Sequence, residues 1–433
     1  MKGMIRSLGI AAGASALALP LAAVGTAAGA SAQGSTQPLV LWEGSNVEAQ
    51  NAAILKAFQA KTGIKISTLI FPTGDAGYQD TLTKWATGTR PDLLQWFGIG
   101  NYVAVLNPTQ TLVPLTNMPF VKKTPASYLD NTVEYDGQIW AAMLDTPVLD
   151  TVSYNRNIFA KLNLSIPQNF NQLVSVSQTI KQKDPSVAPI AGGFGDLWPD
   201  QIPAFMMWNS YLQTNYAHIM AGINDNTIHF NDPQFVQGFQ DMLTLQKDGL
   251  FSSNDLTQTW AQSVDSLMSG KAAMEFAVGP AATFPTYTVA QMNSTEGIFT
   301  LSQTNSVGSW QGTSDGYYVP NTGSSQREAE AKEFINFVTG PYYQTYINDQ
   351  KEEPLLSGAH APAGIPNVYV QAYHLFQTNS VPQYQQDLKA AYSSIFPNWI
   401  EAMLAGKDTP LQVATLFQNS YDLGAKQIGL KGF

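Results

Sequence analysis

The chain contains no cysteine. Disulfides, thiolate nucleophiles, Cys-ligated zinc and lipid attachment through an N-terminal cysteine are therefore excluded. Charge is scarce as well: Asp, Glu, Lys and Arg make up 12% of the 433 residues, well under the roughly 25% typical of globular proteins. Asn, Gln, Ser, Thr and Gly must carry the surface instead. The charge that is present leans acidic, 32 Asp and Glu against 22 Lys and Arg, a field that opposes binding to nucleic acid or to an anionic membrane. Only four histidines occur, His218, His229, His360 and His374. They are scattered, with no H-E-x-x-H and no pair at helical ligand spacing, so they read as ordinary surface or core residues. There is no Walker loop and no G-x-G-x-x-G after a strand. Gly192-Gly193-Phe194-Gly195 comes nearest, but no Lys-Ser/Thr follows it, and it reads as a plain turn. Beyond the leader, no run reaches the ~18 apolar residues of a membrane-spanning helix. Neither a cofactor nor a metal is expected.

What the sequence does have is apolar material, at 44% of residues, including nine Trp and 18 Tyr. A chain this long exceeds what one core usually serves, so two domains are expected. Residues 1–32 start with Lys2 and Arg6, continue as a long Ala/Gly/Leu run and end in Ala30-Ser31-Ala32, an A-x-A signal that predicts a secretory leader cut after Ala32. Its removal takes two of the 22 basic residues and no acid, which deepens the acidic balance.

Leu39-Val40-Leu41-Trp42 suits a buried first strand, Val47 to Thr62 a helix stopped by Gly63, and Ile64 to Ile70 a second strand; such a β-α-β unit implies a parallel pair. Tyr78 to Thr87 reads as a helix and Asp92 to Phe97 as the next strand. Asp136-Gly137 is a hairpin signal, flanked by Val133, Tyr135, Ile139 and Trp140, which suit paired strands. Met143 to Tyr154 is apolar and β-branched but interrupted by Asp145, Pro147 and Asp150, the pattern of an extended segment through a semi-exposed place. A helix opens at Asn155-Arg156-Asn157, and Asn169 is placed to cap another.

That order, with those residues, resembles the sugar-binding branch of the extracellular solute-binding proteins of ABC importers, the branch related to maltose-binding protein. In that family a D-G-x-x-W/Y hairpin is followed by a strand that crosses a hinge to a Y-N-x-x-x-F helix start, as in Asp136 to Trp140 and Tyr154 to Phe159. The family's G-K-A-A-M strand matches Gly270 to Met274, and its K-x-x-E-A-A-x-x-F-I-x-F-L helix resembles Ser324 to Val338. The resemblance covers most of the chain after the leader. It implies an α/β protein of the two-lobe periplasmic-binding-protein fold, each lobe a mainly parallel doubly wound sheet, hinged by crossings near residues 145–152, 298–303 and 350–354. Residues 33–148 and 301–352 would form the first lobe, and 149–300 with the C-terminal helices of 353–433 the second. The implied function is capture of a small carbohydrate, mono- or oligosaccharide or polyol, for delivery to a membrane permease. The protein would be a monomer free in the periplasm, since no cysteine can anchor it.

In doubly wound lobes ligands sit beyond the carboxyl ends of the strands. That rule selects Trp42 and Glu43, Gln95 and Trp96, Asp145 before the crossing, Asp196 and Trp198, Gly279, and then Trp310, Asp315 and Tyr317 at the return. The rings of Trp198 and Trp310 are expected to stack on the sugar, and the carboxylates Glu43, Asp145 and Asp315 to accept its hydroxyls. Trp85 and Trp399 fall inside helical patterns and are assigned to packing. Two other classes stay open: a secreted glycoside hydrolase, which needs only two placed carboxylates such as Asp145 with Asp315, and a non-transport glycan-binding protein without a hinge.

Overall fold

The computed structural model describes residues 37–72, 75–313 and 316–433. The expected leader and Asp315 lie outside the described residues. Thirteen strands follow along the described chain: β1 (Leu39–Gly44), β2 (Ile66–Phe71), β3 (Leu93–Trp96), β4 (Glu134–Tyr135), β5 (Gln138–Ile139), β6 (Ala141–Ala142), β7 (Val148–Asn155), β8 (Ala188–Ala191), β9 (Ala272–Val278), β10 (Glu296–Phe299), β11 (Gly308–Gln311), β12 (Gly316–Tyr318) and β13 (Ser380–Pro382).

The first sheet has the order β2-β1-β3-β12-β6. Its first three strands are parallel, and the helix Glu48–Thr62 that joins β1 to β2 ends at Gly63, whose φ of 77° is the left-handed conformation glycine adopts without strain. The second sheet has the order β13-β11-β7-β9-β8, with β10 also on β7. Here β7 is antiparallel to β9, β10 and β11, while β8/β9 and β11/β13 are parallel. This sheet is mixed, not mainly parallel, because β7 starts at the inter-lobe cleft and runs away from it, whereas β9 and β11 run toward it and end at Gly279 and Gln311 on its wall.

Each sheet has its own core. One gathers residues between Leu41 and Leu149 with others between Trp310 and Leu356; the other runs from Val152 to Leu301 and resumes at Tyr384. In the second, the helix Ile202–Leu212 is buried nearly all round, as expected of a helix apolar on every side. The chain leaves the first core between Leu149 and Val152. The first core resumes at Trp310 in β11, while β10 and β11 still pair with β7, so the chain passes from the second sheet to the first between β11 and β12, later than residues 298–303. Leu355 and Leu356 still belong to the first core, so the last crossing follows them.

Local signals explain several elements. Asp136 and Gly137 have φ of 54° and 74°, the two positive values a tight hairpin requires, and β4 pairs with β5 across them. The Asn155 side chain accepts from the amides of Asn157 at 3.0 Å and Ile158 at 3.2 Å and so caps the helix Arg156–Leu162. Asn169 accepts from Gln172 N at 3.0 Å and caps Phe170–Lys183.

Candidate functional site

Between the two cores lies a cleft of about 920 Å³, a size suited to a small-molecule ligand. Strand ends build one wall. β1 delivers Trp42 and Glu43, β3 delivers Gln95 and Trp96, and the next residue, Phe97, turns in with them. Tyr78 stacks on Trp96 with centroids 5.4 Å apart and planes at 16°, and Phe97 lies 4.4 Å from Tyr102. The Trp96 indole donates to Tyr102 O at 2.9 Å, which fixes the ring. The opposite wall carries a second aromatic pair, Trp198 and Trp260, with centroids 5.1 Å apart.

Polar groups stand behind these rings. Asn51 is fully buried; its Nδ2 donates to Glu43 Oε2 and, at 2.7 Å, to Gln95 Oε1, while Tyr317 OH donates to Asn51 Oδ1. Burial raises the Glu43 carboxyl above its ordinary value, and the bond from Asn51 opposes that rise. Gln95 Nε2 is buried without a hydrogen-bond partner. Asp145 accepts from Tyr346 OH at 2.5 Å, and Gln50 donates to the same tyrosine at 2.6 Å. Among the described residues of the cleft wall the ionisable side chains other than tyrosine are Glu43, Asp145, Glu352 and Glu353; none is Lys, Arg or His.

The segment from Gln383 to Pro397 closes one side of the cleft and touches the first lobe directly. Gln79 Nε2 donates to Ser394 Oγ at 2.5 Å and Gln386 Nε2 to Asn131 O at 2.6 Å. Gly100 is needed at this contact, since a Cβ there would meet Gln386 O at 1.9 Å.

Of the residues selected from the sequence, Trp42, Glu43, Gln95, Trp96, Asp145, Trp198 and Gly279 line the cleft. Three sit elsewhere. Asp196 is exposed and accepts from Trp260 N at 2.8 Å, an anchor for the start of the helix Trp260–Met268. Trp310 is buried, with Phe376 at 5.5 Å and Tyr128 at 6.1 Å, so its ring packs within the first core instead of facing a ligand. Tyr317 is buried beneath the wall against Phe334 and supports Asn51. Sequence reasoning missed Tyr78, Tyr102, Trp260, Tyr369, Tyr392 and Gln383, which line the cleft from helices and from the C-terminal segment. An aromatic at the first turn of a helix, as Trp260 is, was the one available signal. Trp85 and Trp399 do pack as assigned: the indole of Trp85 donates to Leu106 O at 3.0 Å, and Trp399 lies against the second core.

Comparison with known proteins agrees with this architecture. A curated relative, an uncharacterised ABC transporter extracellular-binding protein of Pyrococcus horikoshii, is 26% identical over 239 residues. The match takes in 54% of each chain, so the chain spans about half the length of that relative. Among solved structures, a chitin oligosaccharide binding protein superposes with a TM-score of 0.72 at 18% identity, covering 88% of this chain and 95% of that one. A sugar transporter protein of Bacillus licheniformis, solved with stachyose, gives 0.68 at 19% identity over 90% of this chain and all of the other. These likenesses show the two-lobe fold. Residues 44–345 match the family of bacterial extracellular solute-binding proteins, and the chain belongs to that family.

Proposed function

We propose that the protein captures a small neutral carbohydrate in the inter-lobe cleft and hands it to the membrane permease of an ABC importer. The observation that carries this reading is the make-up of the cleft: aromatic faces on both walls, amides, hydroxyls and carboxylates among them, and no Lys, Arg or His among the described residues. A sugar presents C–H surfaces that suit aromatic rings and hydroxyls that suit amides and carboxylates. A sugar phosphate would call for Arg or Lys, and the described residues of this wall include neither. Relatives of the same fold with chitin oligosaccharide and stachyose as ligands support the reading. The contacts are assigned to Trp42, Glu43, Gln95, Trp96, Asp145, Trp198 and Gly279, and the lobes close on the ligand by a hinge motion. The chain is exported, cut after Ala32, and works as a monomer outside the inner membrane.

It binds without turnover. Two of the cleft carboxylates, Glu43 and Asp145, are engaged by Asn51 and Tyr346. Thermal shift against neutral sugars, polyols and sugar phosphates, beginning with stachyose and chitin oligosaccharides, tests the reading. Stabilisation by neutral sugars alone is expected, and a flat panel overturns it. Incubating the best binder for hours and finding cleavage products by chromatography would make the protein a hydrolase instead.

A further inference from the structure

We propose that Asp150 is the positioning residue that ties the lobe crossings to the cleft wall, and that it does so as a neutral acid, so that ligand binding weakens when it loses its proton. Its ligand arm rests on the sugar-binding reading above.

Asp150 lies in β7 where one core gives way to the other: Leu149 packs in the first and Val152 in the second. Its Oδ2 accepts from Ser309 Oγ at 2.6 Å and from Gln383 Nε2 at 3.0 Å. Ser309 belongs to β11, the last strand before the return crossing, and Gln383 follows β13 and lines the cleft. One carboxyl group therefore joins three separate passes of the chain. The residues on either side of it hold a second piece of the wall, Gly279: its amide donates to Leu149 O at 2.9 Å, and its carbonyl accepts from Thr151 Oγ1 at 2.8 Å.

The group is 1% exposed. It faces Val278 from β9, Ser309 from β11 and Gln383 from the C-terminal segment, with Asn209 of the helix Ile202–Leu212 donating to Ser309 Oγ at 3.1 Å. None of these is titratable, and no charged side chain contributes to its titration. A carboxylate here would be a buried charge without a counter-ion, an arrangement proteins avoid by neutralising the group. The local hydrogen-bond count points the same way. Asp150 Oδ1, Gln383 Oε1 and Asn209 Oδ1 are all buried acceptors with no donor. Protonation of Asp150 removes one bare acceptor and adds the O–H donor this cluster lacks. Burial pushes the carboxyl up to about 6, against the opposing bonds from Ser309 and Gln383. Losing the proton draws water or rearrangement to the point where Gln383 and Gly279 are held, and the wall they form is loosened.

The test compares wild type with Asp150→Asn, which keeps the shape and stays uncharged. Two measurements are made at pH 5 and pH 8: the dissociation constant for the better binder of stachyose and a chitin oligosaccharide, and amide hydrogen exchange, corrected for its intrinsic rate, in peptides spanning 278–280 and 383–386. Wild type is expected to bind about tenfold more weakly at pH 8, the equivalent of one pKa unit of coupling, and to lose protection in both peptides. Asp150→Asn should change less than twofold in affinity and keep its protection. A wild-type profile that is flat, or one that Asp150→Asn reproduces, overturns the proposal. If neither sugar binds at any pH, the assignment of these sugars fails, while the exchange comparison still decides the role of Asp150. Should Asp150→Asn fail to fold, Ser309→Ala removes a donor that favours the charged form and should move the wild-type midpoint to higher pH; an unmoved midpoint overturns the proposal.

Discussion

Asn51→Ala removes the centre of the polar cluster under the cleft. Three groups lose a bond at once: Glu43 Oε2 and Gln95 Oε1 lose the Asn51 donor and Tyr317 OH loses the Asn51 acceptor, while Glu43 keeps the bond from Thr68. All three residues are at most 6% exposed, so water does not readily replace what is lost. A buried polar group left unpaired costs about 1–3 kcal/mol, and the groups that keep another bond lose less, so a loss of about 2–4 kcal/mol is expected. Glu43 responds as well. The Asn51 bond holds its carboxyl down against burial, so the variant should take up a proton there at higher pH than wild type does. Urea unfolding at pH 7 measures the stability, with an unchanged m-value showing that the folded state stays as compact. Asn51→Asp, which exchanges the Nδ2 donor for a second carboxylate beside Glu43, should be at least as damaging. A loss under about 1 kcal/mol in Asn51→Ala, below the cost of a single unpaired group, would refute the reasoning that this cluster is held by one donor–acceptor hub.

Trp96→Ala and Trp198→Ala remove one ring from each wall and should each weaken sugar binding more than tenfold, or about 1.4 kcal/mol, by isothermal titration; a loss within threefold for both would remove the rings from the site. Glu296, raised to about 7 by burial, accepts from Ser153 Oγ at 2.7 Å and Ala281 N at 2.8 Å. Because its folded-state value lies above its ordinary one, the stability it contributes is fully present below about 4.5 and is lost as pH rises toward about 7. Glu296→Gln should flatten that part of the stability-versus-pH curve, and an unchanged curve would rule the residue out as its source.

Much of this was legible in the sequence because the signals are local. Asp136-Gly137 specifies its own turn, Asn155 and Asn169 cap the helices that follow them, and the strand-end rule reached Trp42, Glu43, Gln95 and Trp96 from β1 and β3 alone. Where the signal is not local, the reading failed. Trp310 and Tyr317 are also at strand ends, but which face a side chain takes depends on strands far away in sequence: Tyr317 pairs with Gln95 and Ala142 and points to Asn51. The second wall was harder still. Tyr369 and Gln383 reach the cleft through packing between helices and crossings, and no short pattern announces that. The mixed order of the second sheet has the same origin, since the direction of β7 is set by where the first core lets the chain go.

Neither core is built from one continuous stretch of chain, and this constrains how the molecule is made. The first needs β12 between β3 and β6, and it is pinned by Arg327, whose Nε donates to Asp92 Oδ1 at 2.6 Å across a sequence separation of 235. During synthesis from the N-terminus, β1 to β6 must therefore wait, incomplete, until the 176 residues from the end of β6 at Ala142 to the end of β12 at Tyr318 (318 − 142) have emerged. Contacts of such long sequence separation close slowly. Because neither core closes until its later stretch is present, the interleaving of the two lobes keeps the chain open for longer after synthesis.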